Sequence, residues 1–157
     1  MKLRAALSTL VLLGACTPGG TAPPPGGGAA TVTIDVNLTL HGPVQTPAGL
    51  AAGYSPEVTT VNVGSTIVFV NSDGTGVNHT ATLIPGAPAT FPSQYPFDAS
   101  ALHQNGNVIS QPFTSGALVS GAASQIITVD KAGTYLYGCF FHYPSPTNPM
   151  RGVIVAQ

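Results

Sequence analysis

The chemistry open to this 157-residue chain sits in its sulfur and imidazole groups. Cys139 is followed three residues on by His142 and eight beyond that by Met150, while His79 lies far upstream, just after the polar stretch 72–78. A thiolate, two imidazoles and a thioether form a donor set that suits copper. Cys and Met favour Cu(I), imidazole serves both oxidation states, and a trigonal plane of two His and one Cys with a weak axial Met accepts either. Cys, His and Met on one short loop between adjacent strands can surround a single point, and a His from a distant strand closes the plane from the other side. Each residue alone has a plainer use: a strand-end Cys as a small buried hydrophobe, a Met as core filler, a His at the surface. Scarcity of sulfur favours the joint reading, since the chain has two Cys and two Met, and Met1 and Cys16 belong to an N-terminal segment of a different kind. His41 and His103 fall outside the pattern and are expected to be exposed or structural. With no second Cys/His cluster and no nucleophile constellation, the chain is not expected to be an enzyme.

The elements that must position these residues are strands. Residues 31–40 alternate polar and apolar at every step, which predicts one strand with Val32, Ile34, Val36, Leu38 and Leu40 on a single face. Further β-branched or aromatic runs occupy 57–63, 65–71, 79–84, 124–129, 134–140 and 152–156, separated by Gly64, by Ser72-Asp73-Gly74 and by Asp130-Lys131-Ala132-Gly133. Strands this short and this closely spaced predict an antiparallel sandwich or barrel. One short helix is expected at 99–105, with Asp98 as N-cap and Gly106 beyond its end. It lies in a Pro-punctuated segment, 85–113, too long for a bare connection and so expected to pack as a flap. The flap aromatics Phe91, Tyr95 and Phe97, together with Phe113, are expected to serve packing.

At the N-terminus, Met1, Lys2 and Arg4 precede an apolar run from Ala5 to Leu13, and Leu13-Gly14-Ala15-Cys16 follows. This resembles a bacterial lipoprotein signal, 1–15, with Cys16 as the lipidated first residue of the mature chain. Residues 16–30 then read as a tether: from Thr17 to Ala30, nine of the fourteen residues are Gly or Pro, and as a flexible coil they span roughly 20 Å. The folded domain is expected at 31–157. The chain is placed outside the cytoplasm, anchored by lipid to a bacterial membrane and facing the periplasm or cell exterior.

Charge narrows the partners. Only 6% of residues are charged, against roughly a quarter in an ordinary soluble domain, and no basic patch exists to track phosphates, so nucleic acid is not a partner. Loss of the signal would leave two basic and five acidic residues, a net charge of −3. Docking is therefore expected to rely on apolar contact and to vary little with salt.

From about Tyr54 to its end the chain resembles a cupredoxin, a blue copper protein of the plastocyanin type. The resemblance is carried by Tyr54-Ser-Pro-Glu-Val, by Val63-Gly-Ser-Thr-Ile-Val-Phe-Val-Asn71 and by His79. In the second half it is carried by Phe113-Thr-Ser-Gly-Ala-Leu, by Lys131-Ala-Gly-Thr-Tyr-Leu-Tyr-Gly-Cys139, and by Phe-Phe-His142 and Met150-Arg-Gly-Val. It implies an all-β, Greek-key sandwich or barrel, and a single copper ion in a type 1 site with His79, Cys139, His142 and Met150 as ligands. It also implies a monomer that shuttles single electrons to and from a redox protein, a cytochrome or an oxidase or reductase, through the exposed edge of His142. Copper binding for delivery or storage is the alternative, and a metal-free binding module is a third. The chain departs from the family twice. Seven residues separate His142 from Met150 where about four are usual, and Thr80 stands where an Asn commonly braces the ligand loop. The Thr80 backbone N–H remains available to the Cys139 sulfur.

Overall fold

The computed structural model describes residues 29–157, so the signal, Cys16 and most of the tether lie outside the described residues. Ten strands form two four-stranded sheets and a small hairpin. β1 (Thr31–Val36), β4 (Tyr54–Ser55), β6 (Thr66–Asn71) and β8 (Ile127–Thr128) make one sheet in the order β4-β1-β6-β8. β5 (Val58–Val61), β7 (Thr82–Leu83), β9 (Gly133–Gly138) and β10 (Arg151–Ala156) make the other, β5-β10-β9-β7, while β2 (Val44–Thr46) and β3 (Gly49–Ala51) pair with each other. The fold is an all-β sandwich. Its pairing is mixed rather than antiparallel throughout: β1 runs parallel to β6 and β5 parallel to β10. Both parallel pairs join strands separated by intervening chain, and such partners leave no trace in local alternation.

Period-two patterning sets the core. Ile34 and Val36 of β1, Ile67 and Phe69 of β6, and Tyr137 and Ile154 of the opposite sheet are buried together between the layers with Cys139 and Met150. Leu136 and Val153, one residue out of phase, point to the other side of the second sheet. There Ala48, Ala51, Ile84, Phe91 and Tyr143 cover them. The second sheet is thus buried on both faces, one by its partner sheet and one by the hairpin and flap, which leaves little room for an exposed alternate register.

The first strand is shorter than its alternation predicts. It ends at Val36, Leu38 is only partly buried, and Leu40 is 71% exposed. The cause is Asn37, whose Oδ1 accepts from the Thr39 N–H, the Thr39 hydroxyl and the Leu40 N–H, turning the chain out of the sheet. The run 79–84 likewise keeps only two paired residues as β7, with His79 in an isolated bridge to Leu118. The expected helix is a single 3₁₀ turn, Ala99–Leu102, whose N-cap Asp98 accepts from Ser100 as expected and whose C-cap is His103. Gly106 has φ +70°, and a Cβ there would lie 2.3 Å from the Pro112 carbonyl oxygen, so the flap folds back on itself only with glycine at this position. The flap walls a cavity of about 790 Å³ lined by Leu83, Phe97, Phe113 and Tyr135, and by none of the four expected ligands.

Candidate metal centre

Two segments bring the donor atoms together at one end of the sandwich. β9 delivers Cys139 directly after its last residue, and the loop that follows returns at Met150 to start β10. Backbone bonds close this loop: Cys139 N–H donates to the Met150 carbonyl (3.0 Å), Tyr143 N–H to the Cys139 carbonyl (3.0 Å) and Met150 N–H to the His142 carbonyl (3.2 Å). The last bond forms a neck, so the longer arc between His142 and Met150, buried at Tyr143 and Pro149 and exposed at Pro144, Pro146 and Thr147, does not displace Met150. The second segment runs from Asn71 to Thr80, with His79 in mutual backbone bonds with Leu118 (3.1 and 2.7 Å).

His79, Cys139 and His142 meet, their ligand atoms all within 4.8 Å of one another. Both imidazoles turn Nδ1 toward the sulfur, at 3.9 Å for His79 and 3.6 Å for His142. These separations fit a metal: bonds of about 2.0 Å to nitrogen and 2.3 Å to sulfur at trigonal angles put N and S about 3.7 Å apart. One thiolate and two imidazoles are the donors that select copper or zinc over hard cations. His79 and Cys139 are fully buried, whereas His142 is partly exposed and has the exposed Phe141 next to it.

The surroundings bias these groups. Burial pushes the Cys139 thiol up, and backbone N–H groups of Thr80, Phe141 and His142 pull it back; the Thr80 N–H lies 3.4 Å from Sγ. Burial, then the neighbouring His79, lowers the His142 pKa below the usual imidazole value, which keeps its nitrogen lone pair free at neutral pH. Thr80 does more than the sequence suggested. Its hydroxyl accepts from the Phe140 N–H (2.8 Å) and so braces the ligand loop in place of the missing amide, while its carbonyl takes the Tyr54 hydroxyl.

Met150 is fully buried in the same core cluster as Cys139. Its thioether fills the space beside Gly53, where an added Cβ would come within 2.6 Å of Met150 Cγ and 3.2 Å of Sδ, and Gly53 has φ +76°. His41 pairs instead with Asp35 (2.6 Å), and His103 is exposed on the flap. Phe113 enters the main core, Phe91 the second cluster, and Phe97 meets Tyr143 edge-on, as expected of packing residues, whereas Tyr95, also edge-on to Tyr143, is 42% exposed. One residue at the site escaped the sequence reading. Asp73, read only as part of a turn, places Oδ2 3.2 Å from His79 Nε2.

No family model and no curated protein matches the chain. Among solved structures it is similar to a reduced proline-to-glycine variant of amicyanin, at 18% identity over 84% of this chain and 85% of that one, with a TM-score of 0.45. It is also similar to a dithionite-reduced auracyanin from Roseiflexus castenholzii (20% identity, 83% and 99% covered, TM-score 0.48). A purple cupredoxin from Nitrosopumilus maritimus gives 21% identity, 80% and 98% coverage and a TM-score of 0.45. At such identities and scores, the reading of the site rests on its own geometry.

Proposed function

We propose that the chain holds one copper ion in a type 1 site and carries single electrons as a cupredoxin-like protein outside the cytoplasm. The observation that carries this reading is the convergence of His79 Nδ1, Cys139 Sγ and His142 Nδ1 on one point. Copper bound there would supply a one-electron Cu(II)/Cu(I) couple, with Met150 as the weak fourth donor. The protein's part is to keep the donors in place whatever the oxidation state. His79 and Cys139 are sealed from water, and the Thr80 N–H is aimed at the sulfur. His142 alone of the three reaches the surface, beside Phe141, so a redox protein would approach an apolar face. Residues 1–16 support export and a lipid anchor at Cys16, with the Gly/Pro tether holding the domain off the membrane.

The test is to add Cu(II) to the purified protein and to its Cys139→Ser variant and record visible spectra. The expected result is an intense thiolate-to-copper absorption that bleaches reversibly on reduction and is absent from the variant. Copper binding without that band would favour delivery or storage. No binding would overturn both readings.

A further inference from the structure

Asp73 and His79 form a buried pair in which the two side chains are 2% and 0% exposed. The carboxylate is divided between two tasks. Oδ1 accepts from the Thr75 N–H (3.0 Å) and the Thr75 hydroxyl (2.6 Å), which leaves Oδ2 to face His79 Nε2 at 3.2 Å. Its backbone is held as well, since Asp73 N–H donates to Asn71 Oδ1 (2.9 Å) and the Asn71 amide donates to the carbonyls of Val77 (3.1 Å) and Leu118 (2.8 Å). With Oδ1 accepting from both Thr75 donors, the side chain acts as an acceptor, and its other oxygen is the one turned to the ring. A carboxylate facing Nε2 requires the proton to be on Nε2. In the neutral ring, the form that binds a metal, the lone pair is then on Nδ1, the nitrogen that faces Cys139 Sγ.

We propose that Asp73 is a positioning residue for the metal centre: it fixes His79 as the Nε2–H tautomer with Nδ1 ready to bind, and its buried negative charge favours Cu(II) over Cu(I). Carboxylate–imidazole–metal relays orient the ring and raise ligand basicity, and losing such a partner typically lowers metal affinity by about 10–100-fold. A fixed anion one ring away from the metal stabilises the more highly charged ion more. The statement about copper preference rests on the function proposed above; the statement about the tautomer does not need copper at all.

The experiment has a metal-free arm and a copper arm. In ¹⁵N-labelled metal-free protein, the imidazole nitrogen shifts of His79 are expected to report the Nε2–H tautomer. Asp73→Asn keeps the shape and an oxygen for Thr75 but turns an amide donor toward the ring, so His79 is expected to switch to Nδ1–H. With copper added, Cu(II) affinity is expected to fall by about 10–100-fold and Cu(I) affinity by less, so the reduction potential rises, by at most about 60–120 mV at 59 mV per tenfold. Thr75→Ala separates positioning from general loosening, because it removes the hydroxyl bond to Oδ1, keeps the backbone N–H bond and leaves Oδ2 on His79; it is expected to keep the wild-type tautomer. A wild-type Nδ1–H tautomer overturns the proposal even if Asp73→Asn does not fold. So does an Asp73→Asn protein with unchanged tautomer, or a Thr75→Ala protein that shifts as far as Asp73→Asn. If wild type shows no thiolate–copper band, the proposed function fails while the tautomer still decides the role of Asp73.

Discussion

The two segments that meet at the metal centre are built by different means. The loop from Cys139 to Met150 is closed by backbone bonds and continues the β9–β10 pair, so its shape follows from strand register more than from which side chains it carries. The segment from Asn71 to Thr80 is tied by backbone bonds only near its two ends, at Asn71 and Ser72 to Ala122, Gly121 and Val36 and at His79 to Leu118, and in between it is held by side chains: Asn71, Asp73, Thr75 and Thr80. A loop closed by its own backbone tolerates substitution. A segment tied by single buried side chains gives each of them large leverage over the ligand it carries, here His79. The contrast places the tuning of this site in the upstream segment.

The strongest way to break that contrast is Asn71→Ala. Asn71 is fully buried, donates to the carbonyls of Val77 and Leu118 and accepts from Asp73 N–H. Alanine strands buried groups at about 1–3 kcal/mol each, though the Leu118 carbonyl keeps its bond from His79 N–H. A loss of about 3 kcal/mol is expected, read as a lower urea midpoint at unchanged slope. A loss below about 1 kcal/mol would mean that the upstream segment does not depend on its side chains.

Thr80→Val sharpens the comparison, because Thr80 is where the two segments touch. Valine preserves the volume and the backbone N–H to Cys139 Sγ but leaves Phe140 N–H without its acceptor. Stability is expected to fall by about 1–2 kcal/mol, with the thiolate–copper band retained. Loss of the band would show that the hydroxyl brace, and not only the backbone, holds Cys139.

Much of the downstream segment was legible in the sequence because its donors are close along the chain: Cys139, His142 and Met150 fall within twelve residues at the junction of two alternating runs. The upstream segment was legible only as His79 and a turn. Asp in a Ser-Asp-Gly turn is ordinarily explained by bonds to its own backbone neighbourhood, and Asp73 does make one of these, to Thr75; nothing in the spacing announces that its other oxygen reaches an imidazole six residues on. The Thr80 brace was hidden for the same reason, since its partner Phe140 is 60 residues away. In the fold, the alternation at β1 overran because Asn37 turns the chain with its own side chain, which hydrophobic period does not register. The strands β2, β3 and β4 went unseen in a stretch of Gly, Ala and Pro, where two- and three-residue pairings carry no periodic signal.

The downstream segment makes the complementary demand that substitution in it should do little, and Pro146→Ala tests this at its most irregular point. Pro146 is exposed and lies in the outward part of the loop, beyond the neck formed by Met150 N–H and the His142 carbonyl. Proline there restricts the unfolded chain, so its removal is expected to cost about 0.4–1 kcal/mol of stability through unfolded-state entropy. Pro146 lies outside both the neck and the upstream segment that carries His79, so copper affinity and reduction potential should stay at their wild-type values. Equilibrium unfolding and a copper competition titration on the same variant separate the two effects. If affinity falls while stability holds, the proline-rich arc and not the backbone neck places Met150, and the distinction between a backbone-built segment and a side-chain-built one would no longer hold.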